Sequence, residues 1–215
     1  FSGRARSHRF FSPSPRFDLL IRGGRILDGT GAEAFRADIA VVGDRIEAIE
    51  KSAAGEADGR HARTLIEAGG RMVSPGFIDI HSHTDLELIV DPLAQSKIRQ
   101  GVTTEISGNC GHSVFPRRKD APLTPGQRSL LIETGIEPWT DLSGYRAALK
   151  RRGTSVNHGT FVGHGTIRAL ILGGSGRAPT GEELSGMQRL VAAAMDQGAF
   201  GLSTGLEYAP GRFAD

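Results

Sequence analysis

Two histidines separated by one residue form a potential metal-binding pair. The short apolar stretch 77–80 is typical of a buried strand and runs directly into His81 and His83. Alternate residues of a strand point to the same face, so the two imidazoles project together and can bind one divalent metal. Asp79 and Asp85 flank the pair, and Asp79 is placed to support a ligand by a hydrogen bond. The alternative is two surface histidines on a loop, but the strand and the carboxylates favour a metal site.

Each predicted strand after residue 71 is followed by a residue that could bind a metal or a substrate. Helical patterns alternate with these strands, which is typical of parallel βα units. The carboxyl ends of such strands lie at one edge, so the side chains that follow them are expected together there. The pairs are 77–80 with His81 and His83, 103–107 with Cys110, 156–162 with His164, and 199–202 with Glu207 and Tyr208.

Helix signals separate these strands. Thr180 and Glu183 form a capping box, in which two side chains satisfy backbone N–H groups at the start of a helix. In the helix that follows, apolar residues including Met187 and Met195 recur on one face, which predicts core packing. The segment 115–126 is rich in Pro, Arg and Lys and predicts an exposed insertion. The other predicted helices are 92–100 and 142–152, the second ending at Gly153.

Residues 17–70 predict a small β domain that precedes the βα units. Strand patterns at 17–22 and 25–28 are separated by Gly23 and Gly24, which predict a turn. The remaining predicted strands are 37–42 and 45–50, joined by a two-residue turn at Gly43 and Asp44, and 64–67.

Composition excludes several classes of protein. Residues 1–16 carry four arginines and no acid, which predicts a disordered basic tail, with an organelle transit peptide as the alternative. Without these residues, 22 basic and 24 acidic residues remain. This slightly acidic balance does not predict a basic surface that would bind nucleic acid. One cysteine excludes an internal disulfide and suits a reducing, cytoplasmic compartment. The sequence contains no run of about 18 apolar residues, which is the length that would predict a membrane-spanning helix.

Several motifs together resemble the D-aminoacylase, or N-acyl-D-amino-acid deacylase, branch of the amidohydrolase superfamily. Residues 73–85, Val-Ser-Pro-Gly-Phe-Ile-Asp-Ile-His-Ser-His-Thr-Asp, are similar to the first barrel strand of the superfamily. The branch is indicated more specifically by Gly-Asn-Cys-Gly at 108–111 and Gly-Leu-Glu-Tyr at 205–208. The resemblance covers 17–215 and includes the segments 101–105 and 162–165.

The resemblance implies an α/β fold of the amidohydrolase type, with a (β/α)8 barrel preceded by part of a small β-sandwich. Residues 17–70 are expected to form the N-terminal sandwich portion, and 71–215 only about the first four βα units of the barrel. A complete barrel of this kind typically needs about 250 residues. The sequence is therefore expected to be a fragment whose partner is the missing C-terminal half of the barrel.

The resemblance also implies a zinc cofactor and a set of site residues. In this branch Cys110 takes the place that a carboxylated lysine fills in other amidohydrolases, and the sequence has no lysine after Lys150. The catalytic general base of the family is an aspartate that is expected beyond residue 215. His164 is expected to line the substrate pocket, and the alternative is that it donates a structural hydrogen bond. Tyr208 is expected to hold the substrate carboxylate. The expected metal ligands are His81, His83 and Cys110, and the expected substrate-binding residues are Tyr208 and His164.

The implied activity is metal-dependent hydrolysis of the amide bond of N-acyl-D-amino acids to a carboxylate and a D-amino acid. The 215 residues alone are expected to be inactive. The alternatives are another amidohydrolase, such as a dipeptidase or a cyclic-amide hydrolase, and a catalytically inactive truncated homologue. The expected partner is a small-molecule N-acyl-amino-acid substrate, with neither nucleic acid nor membrane.

Overall fold

The computed structural model describes residues 17–51, 62–122 and 125–214. The chain divides into two compact units between Pro75 and Gly76, a few residues after the predicted boundary between 70 and 71. The predicted disordered tail, residues 1–16, lies outside the described residues. Within the described residues, no helix is long and apolar enough to cross a membrane.

The first unit is one five-stranded sheet with a small apolar core. Ile26, Ala37 and Ile39 form that core where the first two strands pair antiparallel. The first strand also pairs in parallel with the two strands that follow the hairpin. The strands are β1 (Phe17–Ile26), β2 (Phe35–Val42), β3 (Arg45–Glu50), β4 (Ala62–Glu67) and β5 (Met72–Val73). The predicted turn at Gly43 and Asp44 is confirmed between β2 and β3.

The predicted turn at Gly23 and Gly24 is wrong. β1 continues through both glycines, and its register with β2 shifts between Ile21 and Gly24. Gly23 has a φ of +66° and its N–H donates a hydrogen bond of 2.8 Å to Asp38 Oδ1. A bulge at a left-handed glycine bends a strand without reversing it, and the glycine pair alone does not distinguish this from a hairpin.

The second unit contains short parallel strands. The first three strands of this unit form one parallel sheet, and the last two form a second parallel pair. The predicted third strand, 156–162, is divided into two short strands at Phe161. The residues before Phe161 pair with the strand at 102–107, and those after it pair with the strand at 202–203. Phe161 N–H donates to Ser107 O, whereas Val162 N–H donates to Gly201 O. The strands are β6 (Phe77–Asp79), β7 (Val102–Ser107), β8 (Asn157–Thr160), β9 (Val162–Gly163) and β10 (Leu202–Ser203).

Six α-helices are described in the second unit, and two of them have the predicted ends. Asp141 caps one helix by accepting a hydrogen bond of 2.8 Å from Gly144 N, and Gly153 ends it with a φ of +72°. Thr180 and Glu183 make the predicted capping box. The helices are α1 (Glu87–Val90), α2 (Gln95–Ile98), α3 (Pro125–Thr134), α4 (Leu142–Arg152), α5 (His164–Leu172) and α6 (Gly181–Asp196).

Three further predictions for this unit are wrong in part. The predicted helix 92–100 shortens to α2, because Ala94 has a left-handed φ of +46° directly before it. The segment 115–126 is not simply an exposed insertion, since the Phe115 side chain is buried and its ring lies 6.2 Å from that of Tyr145. On α6 Met187 is buried as predicted, but Met195 is 43% exposed.

Candidate metal centre

The loop after β6 presents the two histidines of the predicted site. The centroids of the His81 and His83 rings are 5.5 Å apart. Asp79 Oδ1 accepts a hydrogen bond of 3.1 Å from the backbone N–H of His81, and Asp79 Oδ2 lies 2.6 Å from Lys97 Nζ. The hydrogen bond from Lys97 lowers the pKa of Asp79, so the carboxylate stays charged. Asp79 therefore holds the backbone of the histidine loop rather than an imidazole ring.

Cys110 follows β7 and lies against the histidines. His81 Nε2 is 3.3 Å from Cys110 Sγ. One ligand atom from each of His81, His83 and Cys110 can be chosen so that all three lie within 4.8 Å of one another. In the part of the chain that the structure describes, no other group of three His, Cys, Asp or Glu residues converges in this way.

The donor set of this cluster fits zinc. One thiolate and two imidazoles are ligands that zinc prefers, at about 2.3 Å for sulfur and about 2.0 Å for nitrogen. Both histidines are exposed and Cys110 is partly exposed. Three protein ligands are the number typical of a catalytic zinc, whereas a structural zinc is closed by four protein ligands.

The backbone around Cys110 has an uncommon conformation. Cys110 has a φ of +55°, and its neighbours Gly108 and Gly111 have φ values of +75° and +76°. A non-glycine residue in the left-handed region costs about 1–3 kcal/mol and persists only where the surroundings enforce it. Gly111 N–H donates a hydrogen bond of 3.1 Å to Ser203 Oγ, which ties the cysteine loop to β10.

Glycines let three backbone segments approach one another at this point. A Cβ atom on Gly163 would lie 2.5 Å from Gly111 O, and one on Gly205 would lie 2.3 Å from Cys110 O. Both distances are too short for any side chain. The loop that follows β7 therefore packs backbone against backbone with the end of β9 and with the loop that follows β10, and a side chain at either glycine would displace the cysteine loop.

The two predicted substrate residues lie outside the three-residue cluster. His164 is the first residue of α5, and its Nδ1 is 3.3 Å from Thr204 Oγ1. Burial lowers the pKa of His164, and the nearby charge of Arg168 acts in the same direction. Tyr208 is 49% exposed, and its ring centroid is 5.8 Å from that of His112. The packing of Gly205 against Cys110 brings the Tyr208 turn next to the cysteine loop.

A buried polar network supports the loop that follows His83. Ser107 Oγ donates to Asp85 Oδ1 at 3.1 Å, and Tyr145 O–H donates to the backbone oxygen of Asp85. Because the Ser107 hydroxyl has one hydrogen, it accepts its 2.9 Å hydrogen bond from His158 Nε2–H. Burial raises the pKa of Asp85 and lowers that of His158 to about 4.

Glu105 is a second element of this support that sequence reasoning missed. Its side chain is fully buried on β7, and Oε2 accepts hydrogen bonds from the hydroxyls of Ser82, at 2.9 Å, and Thr84. The signal that could have found it is an acidic residue inside a strand expected to be buried, because such a carboxylate needs donors nearby.

Comparison with known proteins decides the family. The family model described as Amidohydrolase family matches residues 64–214. The chain belongs to the amidohydrolase family. Among curated proteins, this amidohydrolase is 38% identical to an N-acyl-D-glutamate deacylase and 41% identical to a D-aminoacylase, both from Alcaligenes xylosoxydans xylosoxydans. Each match covers 93% of the chain and, respectively, 39% and 40% of the relative.

Solved structures agree with this placement and give the amidohydrolase-type fold. A crystal structure of N-acyl-D-glutamate deacylase from Bordetella bronchiseptica, complexed with zinc and a phosphonate inhibitor, matches with a TM-score of 0.77 and 40% identity. A crystal structure of D-aminoacylase matches with a TM-score of 0.77 and 39% identity. Each match covers 93% of this amidohydrolase and 40% of the solved chain, so the chain spans about two fifths of the length of these relatives.

Proposed function

We propose that the complete protein containing this chain is a zinc-dependent deacylase that hydrolyses N-acyl-D-amino acids to a carboxylate and a D-amino acid. The observation that carries the proposal is the convergence of His81, His83 and Cys110 at the ends of two neighbouring parallel strands. Relatives named D-aminoacylase and N-acyl-D-glutamate deacylase, at 41% and 38% identity, support the substrate class.

Three residues of this chain would hold the zinc. His81 Nε2 and Cys110 Sγ already face each other at 3.3 Å, and a metal between them needs a neutral imidazole and a thiolate. His83 adds the third donor. Zinc at such a site supplies Lewis acidity towards an amide carbonyl and lowers the pKa of water to near 7. Asp79 keeps His81 in place through the backbone N–H.

Two further residues are proposed to bind the substrate. Tyr208 is about half exposed and next to the cysteine loop, so its phenol can donate a hydrogen bond to the carboxylate of an N-acyl-amino acid. The lowered pKa of His164 keeps its imidazole neutral at pH 7. A neutral imidazole at the start of α5 can line the pocket without adding a second cation.

The proposed architecture is the first part of a barrel. The parallel order β6, β7 and β8, followed by the parallel pair β9 and β10, fits about four βα units of a (β/α)8 barrel. Active sites of such barrels lie at the carboxyl ends of the strands, which is where the proposed ligands lie. A free thiolate ligand also fits the reducing conditions of the cytoplasm, the compartment that we propose.

The proposal is tested on the complete protein with a panel of N-acetyl-D-amino acids, their L-enantiomers, a dipeptide and a hydantoin. We expect turnover of N-acetyl-D-amino acids, with zinc that is lost in His81→Ala and Cys110→Ala and retained in the control His112→Ala. Tyr208→Phe should raise KM about 10–100-fold, since a hydrogen bond to a charged group is worth about 1.5–3 kcal/mol. Turnover of only the dipeptide or the hydantoin, or zinc retained in His81→Ala, would overturn the proposal.

A further inference from the structure

Glu105 is a buried acidic residue whose side-chain hydrogen bonds, among the described residues, go to the histidine loop. Its relative exposure is 0%, and it lies in the middle of β7. Ser82 Oγ donates to Glu105 Oε2 at 2.9 Å, and Thr84 Oγ1 donates to the same oxygen. These two hydroxyls belong to the residues on either side of His83. One oxygen atom of Glu105 therefore holds both neighbours of a proposed metal ligand.

The backbone of the loop is tied to the same strand. Ser82 N–H donates to Ile106 O at 3.1 Å, and Asn109 Nδ2 donates to Ser82 O at 3.2 Å. Cys110 follows Asn109 directly. β7 and the residues just after it thus carry the cysteine and also fix the position of the loop that carries both histidines.

The energetic cost of Glu105 argues that its contacts matter. Burying a carboxylate costs several kcal/mol unless it is paired, and Oε1 has no hydrogen-bond partner among the described residues. The favourable part comes from the two hydroxyl donors, Ser82 Oγ and Thr84 Oγ1, which both donate to Oε2. A buried apolar residue in this strand would avoid the cost, but it would remove the acceptor that the two hydroxyls share. Ser82 Oγ and Thr84 Oγ1 lie 2.8 Å apart, so only one of them could then donate to the other.

We propose that Glu105 is a positioning residue of the metal centre, which orients His81 and His83 towards Cys110 by holding the hydroxyls of Ser82 and Thr84. The inference rests on the proposed function, since it assigns a role towards the proposed zinc site. Residues that hydrogen-bond directly to a metal ligand typically contribute about 10–100-fold to metal affinity. Glu105 bonds the two residues beside His83 and not the ligand itself, so we expect the lower end of that range. Glu105 does not touch the reacting atoms, so the primary effect is on zinc binding.

The test measures the zinc dissociation constant of the complete protein by competition with a chelator. Glu105→Gln, which keeps the size of the side chain and replaces the carboxyl group with an amide, should bind zinc about 10-fold more weakly. Thr84→Val should also weaken binding, and by a smaller factor in the Glu105→Gln background than in the wild type. The controls are Glu133→Gln, an exposed change of the same chemistry, and Met187→Ala, a core change that lowers stability.

The outcomes separate this inference from the proposed function. Zinc affinity unchanged in Glu105→Gln, additive effects of the two substitutions, or an equal loss of affinity in Met187→Ala would overturn the role of Glu105. If Glu105→Gln does not fold, Thr84→Val alone decides, and an unchanged dissociation constant rejects the inference. A wild-type protein without zinc overturns both proposals. If the protein binds zinc but has no deacylase activity, only the substrate assignment is overturned. The positioning role of Glu105 is then still supported by the zinc affinities of the single and double variants.

Discussion

Gly205 is predicted to control the position of Cys110, the proposed metal ligand. A Cβ atom added to Gly205 would lie 2.3 Å from Cys110 O and 2.7 Å from Cys110 C. Both atoms belong to the backbone and have no side-chain torsion that could relieve the contact. The methyl group added by Gly205→Ala therefore displaces the backbone of Cys110 itself.

The size of the effect follows from these distances. An ordinary contact lies at 3.4–4 Å, so the two segments must separate by about 1 Å. Overpacking of this kind costs about 1–3 kcal/mol in the free energy of unfolding. A displacement of about 1 Å in a catalytic constellation can lower activity about 100-fold. We expect Gly205→Ala to lose both stability and turnover, with turnover changing more than stability.

The assay compares Gly205→Ala with Gly174→Ala in the complete protein. Gly174 has nothing within 4 Å of an added Cβ and does not have a positive φ, so its substitution should be neutral or slightly stabilising. Denaturant unfolding gives the stability change, and hydrolysis of an N-acetyl-D-amino acid gives the change in turnover. If Gly205→Ala matched Gly174→Ala in both measurements, the backbone contact would not position Cys110 and the reasoning would be wrong.

Three further predictions concern stability. Tyr145→Phe removes the donor to the buried backbone oxygen of Asp85 and should lower the free energy of unfolding by about 1–3 kcal/mol in urea; an unchanged midpoint contradicts this. Burial lowers the pKa of His158 to about 4, so the unfolded chain, with a pKa of about 6.5, takes up the proton first as the pH falls. Stability that is present above pH 6.5 should then decrease by about 3 kcal/mol down to pH 4, at about 1.4 kcal/mol per pH unit, and His158→Gln should lack this decrease in unfolding curves measured across the range. Thr180→Ala removes the cap that accepts from Glu183 N and should cost about 1 kcal/mol in thermal unfolding, with a change below a few tenths arguing against the capping box.

Structure that depends on short-range signals could be predicted from the sequence. The ends of α4 are set by Asp141 and Gly153, and each acts within one turn of the helix. The capping box of α6 is equally local. The sequence does not predict α5, because its first residue, His164, lies between Gly163 and Gly165, a composition typical of loops. The helix forms there because later residues of α5 reach the core, and such tertiary packing overrides weak local propensity.

The histidine pair and the cysteine could be singled out from the sequence because each follows a predicted strand, but the support beneath them depends on strand register. Asp79 pairs with Glu105 across the sheet, after a register shift between Phe77 and Ile78. A slip of one residue would reverse the face to which each side chain points, and no local pattern encodes that shift. Glu105 meets Ser82 only because the register is the observed one. A buried acid in a strand therefore shows that donors must lie nearby, while the strand pairing decides which residues supply them.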